Sequence, residues 1–334
     1  MASNSFGTIF KITTWGESHG KAMGVVIDGC PAGLQINENE INQALALRAP
    51  GNSPYVSPRK EGDKVEILSG VFEGKTTGTP ISLLIPNKDA DSSSYDAIKN
   101  LLRPGHANYT YIEKYGIFDY RGGGRASGRE TVGRVAAGAV ANKFLLSFGI
   151  VVSAHLKQVG GATDRAEILA LIEKAKVEGD SYGGLVEFSA TSVPVGLGDP
   201  VYLKLEANLA HALMGLPATK GFEMGSGFQA VSMKGSEHND LYFSQGQTKT
   251  NYAGGTLAGI STGMEIIGRV AFKPTSSIKK QQETLTLSGE KAIFQLPDGS
   301  RHDPCVAMRA VPVVEAMVAL VLADALLLNR CAKL

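Results

Sequence analysis

The sequence is poor in whatever staples, coats or anchors a protein. Cysteine is scarce: Cys30, Cys305 and Cys331 are an odd number without C-x-x-C spacing, which excludes a disulfide framework and a thiolate metal site and fits a reducing cytoplasm. Excess charge is missing too. With 33 basic and 32 acidic residues the net charge is +1, too little for a surface that coats nucleic acid, so any positive field is local. The six histidines are scattered without the H-x-x-x-H spacing of ligands, and no metal is expected. The opening M-A-S-N-S-F-G lacks the basic and apolar regions of a signal peptide. The most hydrophobic stretch, Val311 to Leu328, is broken by Pro312, Glu315 and Asp324, so it is expected to be a buried core helix with Pro312 in its first turn, and no membrane contact is expected.

What is abundant is arginine and glycine in one place. Five of the twelve arginines fall between Arg103 and Arg134, in R-P-G-H-A-N-Y and then Y-R-G-G-G-R-A-S-G-R-E-T-V-G-R, beside a triple glycine and His106. Guanidinium forks grip phosphate and carboxylate oxygens bidentately, and glycines let a ligand approach backbone N–H groups, so this stretch is expected to bind an anion. The five arginines alternate with small residues rather than with Glu and Asp, which favours a site over a solvated basic face. After Gly128 an alanine-rich helix is predicted to run to about Phe148, its N-terminal partial positive charge lying beside Arg125 and Arg129.

Around this stretch the pattern alternates strands and helices. Phe6–Thr14 and Met23–Ile27 read as strands flanking the turn W-G-E-S-H-G, which places His19 on a loop. Asn37 is a predicted cap with Glu40 three residues on, opening a helix that ends at Arg48. Strands are predicted at Val65–Leu68, Val71–Phe72, Pro80–Ile85, Ile150–Val159, Gly184–Val195 and Met264–Phe272, and helices at Ala166–Lys176 and Tyr202–Leu216. G-L-P-A-T-K-G-F-E reads as an irregular turn. Two nucleotide motifs fail. S-G-V-F-E-G-K-T has Ser69 where a P-loop begins with glycine, and G-S-G-F-Q-A at Gly225 lacks the strand and the acidic residue of a dinucleotide fold. The hydroxyl-rich K-P-T-S-S, Lys273 to Ser277, and S-R-H-D-P-C, with Arg301, His302 and Asp303, complete the loops that can hold an anion or move a proton. The residues alone therefore leave two classes open: an enzyme acting on a multiply anionic small molecule, and a non-catalytic binder of phosphorylated ligands.

Five signatures in order, G-E-S-H-G, R-P-G-H-A, G-G-G-R-A-S-G-R-E-T, K-P-T-S-S and R-H-D-P-C, make the chain resemble chorismate synthases nearly end to end. The resemblance implies a single domain over 1–334, an α+β fold that is a β-α-β sandwich with helices packed between antiparallel sheets, and a homotetramer. It implies reduced FMN as cofactor and 1,4-anti elimination of phosphate from 5-enolpyruvylshikimate 3-phosphate. By position, His19, His106 and Asp303 are similar to the catalytic groups, and Arg48, Arg129 and Arg301 to substrate ligands. Arg125, Ala126, Ser127, Ala218, Thr219, Ala258, Lys273, Pro274, Thr275, Ser276, Ser277 and Arg301 are similar to FMN ligands. One departure stands out: the family commonly has S-R in the loop after Arg48, where this chain has Ser53-Pro54, which bears on a second contact to substrate or NADP; Arg59 lies nearby.

Overall fold

The computed structural model describes residues 3–49, 62–88, 93–297 and 302–333. Arg301, Arg59, Ser53 and Pro54 lie outside the described residues. Two antiparallel sheets form the outer layers. The first orders Ser5–Phe6, Lys11–Gly16, Ala22–Asp28, Ile81–Pro86 and Glu66–Ser69; the second orders Thr219–Met224, Ile266–Phe272, Gly184–Thr191 and Val151–Val159. Both follow from period-2 burial. Ile81, Leu83 and Ile85 point inward from one strand of the first sheet, and Ile266, Gly268, Val270 and Phe272 from one strand of the second.

The helices are α1 (Glu38–Arg48), α2 (Asn108–Tyr115), α3 (Thr131–Leu146), α4 (Arg165–Glu178), α5 (Leu205–Met214), the one-turn α6 (Gly235–His238) and α7 (Ala307–Asn329). Between the sheets lie α3 and α7, packed on each other, α3 against the first sheet and α7 against the second. The α+β sandwich expected from the resemblance is the fold observed. Small residues make it possible: a Cβ built on Gly138 of α3 would lie 2.3 Å from Ala316 Cβ of α7. At Gly133 it would meet Gly24 O at 3.2 Å, so α3 also lies close to its sheet.

The capping box at Asn37 and Glu40 forms as expected, each side chain bonded to the other's backbone. Glu40 also pairs with Lys143, tying α1 to α3. In α7 the apolar stretch is buried between the sheets, and its buried Asp324 accepts backbone N–H bonds from Thr8, Ile9 and Phe10 at 2.7–2.9 Å. Hydrogen bonds to a charged group contribute roughly 1.5–3 kcal/mol each, so Asp324 holds the loop that breaks the expected Phe6–Thr14 strand in two.

Other expectations are corrected. The α7 helix starts at Ala307, so Pro312 is its sixth residue and lies beyond the first turn. The segment read as an irregular turn after Leu216 contains the strand Thr219–Met224, paired along Ile266–Phe272. Helix α5 begins at Leu205, not Tyr202, and α2 had no counterpart among the expected elements.

Candidate active site

Loops at one end of the sandwich bring the signatures together. His19 sits in the turn Glu17–Gly20 between the strands Lys11–Gly16 and Ala22–Asp28, closed by a Gly20 N–H to Glu17 O bond of 3.0 Å. Its ring stands edge-on to Tyr95 at 5.4 Å. The buried Ser18 hydroxyl donates to Arg121 O at 3.4 Å, docking this turn on the triple glycine. The glycines then separate two histidines. A Cβ on Gly122 would lie 2.4 Å from His19 Cδ2 and 2.5 Å from Nε2, and one on Gly123 would lie 2.9 Å from His106 Cε1. Adjacent residues of one loop thus contact both imidazoles, which are 87 positions apart in the chain.

His106 occupies a turn pinned by buried Asn108, which accepts from Arg103 N at 3.1 Å and donates to Leu101 O at 2.9 Å. Against it lies K-P-T-S-S. Lys273 Nζ and Ser276 Oγ both donate to Gly105 O at 2.7 Å, and Arg103 donates to Ser277 Oγ at 2.9 Å. The Lys273 backbone N–H bonds Ala218 O at 2.9 Å, which brings Ala218 alongside. Burial, then Arg103 and Lys273, push the His106 pKa down to about 3. Burial also lowers Arg103 and Lys273, the latter with help from Lys220. So many cationic groups around a neutral imidazole make a preformed anion cradle.

The unfolded chain binds a proton at His106 near pH 6.5 and the folded protein does not, so this residue's contribution is fully present above pH 6.5 and is lost as pH falls toward about 3. His106→Asn is expected to flatten the loss of thermal stability between pH 6.5 and pH 4 relative to the wild type, measured by Tm against pH.

A second charged centre lies on the α1 side. Arg48 at the end of α1 and Arg129 before α3 are both buried and share the carboxylate of Asp63: Arg48 Nη1 meets Oδ2 at 2.9 Å, and Arg129 Nη1 bonds Oδ1. Arg48 also reaches Thr131 Oγ1 at 3.1 Å and Gly128 O at 3.2 Å. Arg309, at the start of α7, pairs with Asp303 at 2.9 Å and donates to Arg48 O at 3.3 Å, which brings Asp303 to this centre. Asp63, Arg309 and Asn87, which accepts from Arg129 Nε at 3.0 Å, escaped sequence reading. Their roles rest on long-range pairings that leave no local motif.

The arginines of the Arg103–Arg134 stretch do not act as one cluster, contrary to expectation. Arg121 pairs with Asp119, and Arg125 and Arg134 with the buried Glu130. Arg125 also donates to Thr14 Oγ1 at 2.8 Å and Gly16 O at 3.2 Å, so its guanidinium braces the first sheet. Ser127 Oγ accepts from Arg129 N at 3.3 Å, and the Ala126 N–H bonds Gly123 O at 2.9 Å. Thr219 turns its hydroxyl to Met214 O and Leu216 O. Ala258, in the left-handed region at φ 52°, belongs to a hairpin packed on Asp199 and Lys204 rather than on the histidines. Thr275 and Pro274 follow Lys273; Thr275 O accepts from Ser181 at 2.8 Å and Pro274 abuts Gly183. Among the described residues no cluster of three or more His, Cys, Asp or Glu is arranged to hold a metal.

Fold and site together define an α+β enzyme whose loops hold histidines against an anion cradle. A family model described as chorismate synthase matches residues 10–327. Relatives named chorismate synthase include that of Protochlamydia amoebophila (strain UWE25), 57% identical over 100% of both chains. That of Methanosarcina mazei is 52% identical over 98% of this chain and 97% of its own. A crystal structure of chorismate synthase superposes with a TM-score of 0.71 at 33% identity, covering 95% of this chain and 91% of that one. The chain belongs to the chorismate synthase family.

Proposed function

We propose that this protein converts 5-enolpyruvylshikimate 3-phosphate to chorismate by 1,4-anti elimination of phosphate and a ring hydrogen, with reduced FMN as cofactor, acting as one domain in a cytoplasmic homotetramer. The observation that carries the reading is the loop Gly122–Gly123, which lies against His19 on one side and His106 on the other, with Lys273 and Arg103 beside them. The residues also fit a phosphate-bearing cofactor: among the described residues, His106 Nδ1, Arg103 Nη1 and Thr275 Oγ1 are buried polar atoms without hydrogen-bond partners, and the first two lie with Lys273 in a cationic pocket.

Reduced flavin would supply transient electron donation to a substrate whose ring C–H is a poor acid. Arg103, His106 and the Lys273–Ser277 loop would hold it, with Ala218 and the Arg125–Ser127 turn flanking. His19 protonates the departing phosphate, the general-acid role an imidazole N–H can fill when it is held beside a leaving oxygen. Arg48 and Arg129 hold the anionic groups of the substrate, joined by Arg301. His106 is neutral before ligands arrive. An incoming anion offsets the charges of Arg103 and Lys273 and raises the His106 pKa, so the imidazole takes up a proton only as its anionic partner binds. Asp303 assists removal of the ring proton, and Arg309 aims its carboxylate. Association into an oligomer is supported by exposed apolar side chains, Tyr202 at 89% and Val231 at 88% exposure among them.

The test is chorismate formation under strict anaerobiosis, comparing chemically reduced FMN with oxidised FMN plus NADPH. Turnover with reduced FMN alone is the expected result. His106→Ala is expected to lower kcat by about 100- to 10,000-fold with the fold intact. Folded wild type that forms no chorismate with reduced FMN would overturn the reading.

A further inference from the structure

One side chain joins the two halves of the site. Asn87 follows the strand Ile81–Pro86 and makes four hydrogen bonds. Its Nδ2 donates to Glu17 O at 3.0 Å and to Gly20 O at 2.9 Å, the two ends of the turn that carries His19. Its Oδ1 accepts from Arg129 Nε at 3.0 Å, and its backbone N–H donates to Lys21 O at 3.1 Å. The amide orientation is dictated by its partners, because guanidinium only donates and carbonyls only accept. Every hydrogen-bonding position of the carboxamide that these neighbours can use is taken.

We propose that Asn87 is a positioning residue that sets His19 and the Arg129 guanidinium in register, so that the proton donor and the anion ligand act on the same phosphate-bearing substrate; this rests on the chorismate-forming reading above. The His19 turn has its own closing bond, contacts to Tyr95 and Gly122, the Ser18 bond to Arg121 O, and beside it the Arg125 bond to Gly16 O; these tie it to the glycine loop and do not include the Arg129 guanidinium. Arg129 is held by Asp63, whose carboxylate is bonded to Arg48 and Arg129 and reaches no part of the His19 turn. Asn87 supplies the direct link. Neither aspartate nor alanine replaces it: aspartate keeps the acceptor for Arg129 but turns an oxygen toward two carbonyls, and alanine loses all three side-chain bonds. Misplacement of a reacting group by about 1 Å costs on the order of 100-fold in rate.

The experiment measures kcat, KM and Tm of Asn87→Ala and of the isosteric Asn87→Asp, each alone and combined with His19→Ala. In parallel, calorimetry gives the affinity of flavin-free protein for 5-enolpyruvylshikimate 3-phosphate in Asn87→Ala, Arg129→Ala and the double variant. Asn87→Ala is expected to lower kcat/KM by about 30- to 100-fold, and Asn87→Asp to lower kcat as strongly while Tm stays near the wild-type value. On the His19→Ala background the further loss should be under about 3-fold, and the Asn87 and Arg129 effects on affinity should likewise fail to multiply. Losses that multiply in full in both cycles, or wild-type behaviour in both single variants, would show that Asn87 positions neither group. Wild type that binds substrate but forms no product would defeat the functional reading alone, since the affinity cycle still judges Asn87. Wild type that neither binds nor converts it would overturn both.

Discussion

Gly122→Ala is expected to lower turnover by at least about 100-fold while leaving the protein folded. The added methyl would start 2.4 Å from His19 Cδ2 and 2.5 Å from Nε2, well inside van der Waals contact, and Ser18 Oγ is next at 3.0 Å. Something must yield. The imidazole is the softer partner, because Ser18 is buried and the turn around it is clamped by Asn87. The φ of +64° at position 122 adds backbone strain of about 1–2 kcal/mol for a residue with a Cβ, so the loop shifts as well as the ring. Both shifts are local to one loop, so Tm should fall by only a few degrees, and the loss should appear in kcat rather than in substrate affinity, which the proposed substrate ligands Arg48 and Arg129 would supply from the other centre. Paired measurement of kcat, substrate affinity by calorimetry and Tm checks this. Unchanged kcat would mean that His19 does not work from the place the structure gives it. Gly123 stands in the same relation to His106, at 2.9 Å from Cε1, so one dipeptide gauges two imidazoles.

That gauge explains why a triple glycine sits in an arginine-rich stretch, and it shows where sequence reading reaches its limit. The glycines were legible as a place of close approach, but what approaches was not, since His19 and His106 meet them only after folding. Arg125 illustrates the same limit from the other side. Its neighbours in sequence are Gly124 and Ala126, which left it looking free to bind a ligand, yet it spends its donors on Thr14 and Gly16, more than a hundred positions away. The capping box at Asn37 and the apolar face of α5 were readable because their partners lie within one helical turn or along one face. The strand Thr219–Met224 was not, because T-K-G-F-E-M has neither apolar alternation nor β-branched density and is a strand only through its pairing with Ile266–Phe272. Asp63 is the extreme case: an acidic residue two positions after Glu61, following a proline-rich stretch of sequence, it becomes the bridge between two buried arginines solely through tertiary placement.

Gly138→Val is expected to prevent the chain from reaching a soluble folded state, and Gly138→Ala to destabilise it by about 2–4 kcal/mol. Helix propensity argues the other way, since alanine in a helix interior is favoured over glycine by roughly 1 kcal/mol. Packing decides the sign. A Cβ at 138 would sit 2.3 Å from Ala316 Cβ, 2.6 Å from Ala316 Cα and 3.2 Å from its carbonyl carbon, so most of what it meets is the backbone of α7, which cannot rotate away. Relief requires α3 and α7 to separate along their shared length, and both are held from outside by the sheets they pack against. Ala316→Gly removes only the nearest of the three atoms, so it should restore part of the Gly138→Ala loss and little of the Gly138→Val loss, a non-additivity that a thermodynamic cycle on Tm and denaturant midpoints can read. Full additivity would place the clash elsewhere. The same crossing links stability to the site. Arg129 leads into α3, Asp303 leads into α7, and Arg309 lies in the first turn of α7. Any rescued Gly138→Ala protein that retains a widened crossing should therefore bind substrate normally, if the proposed ligands Arg48 and Arg129 hold it, yet turn over more slowly, because Asp303 has moved relative to them.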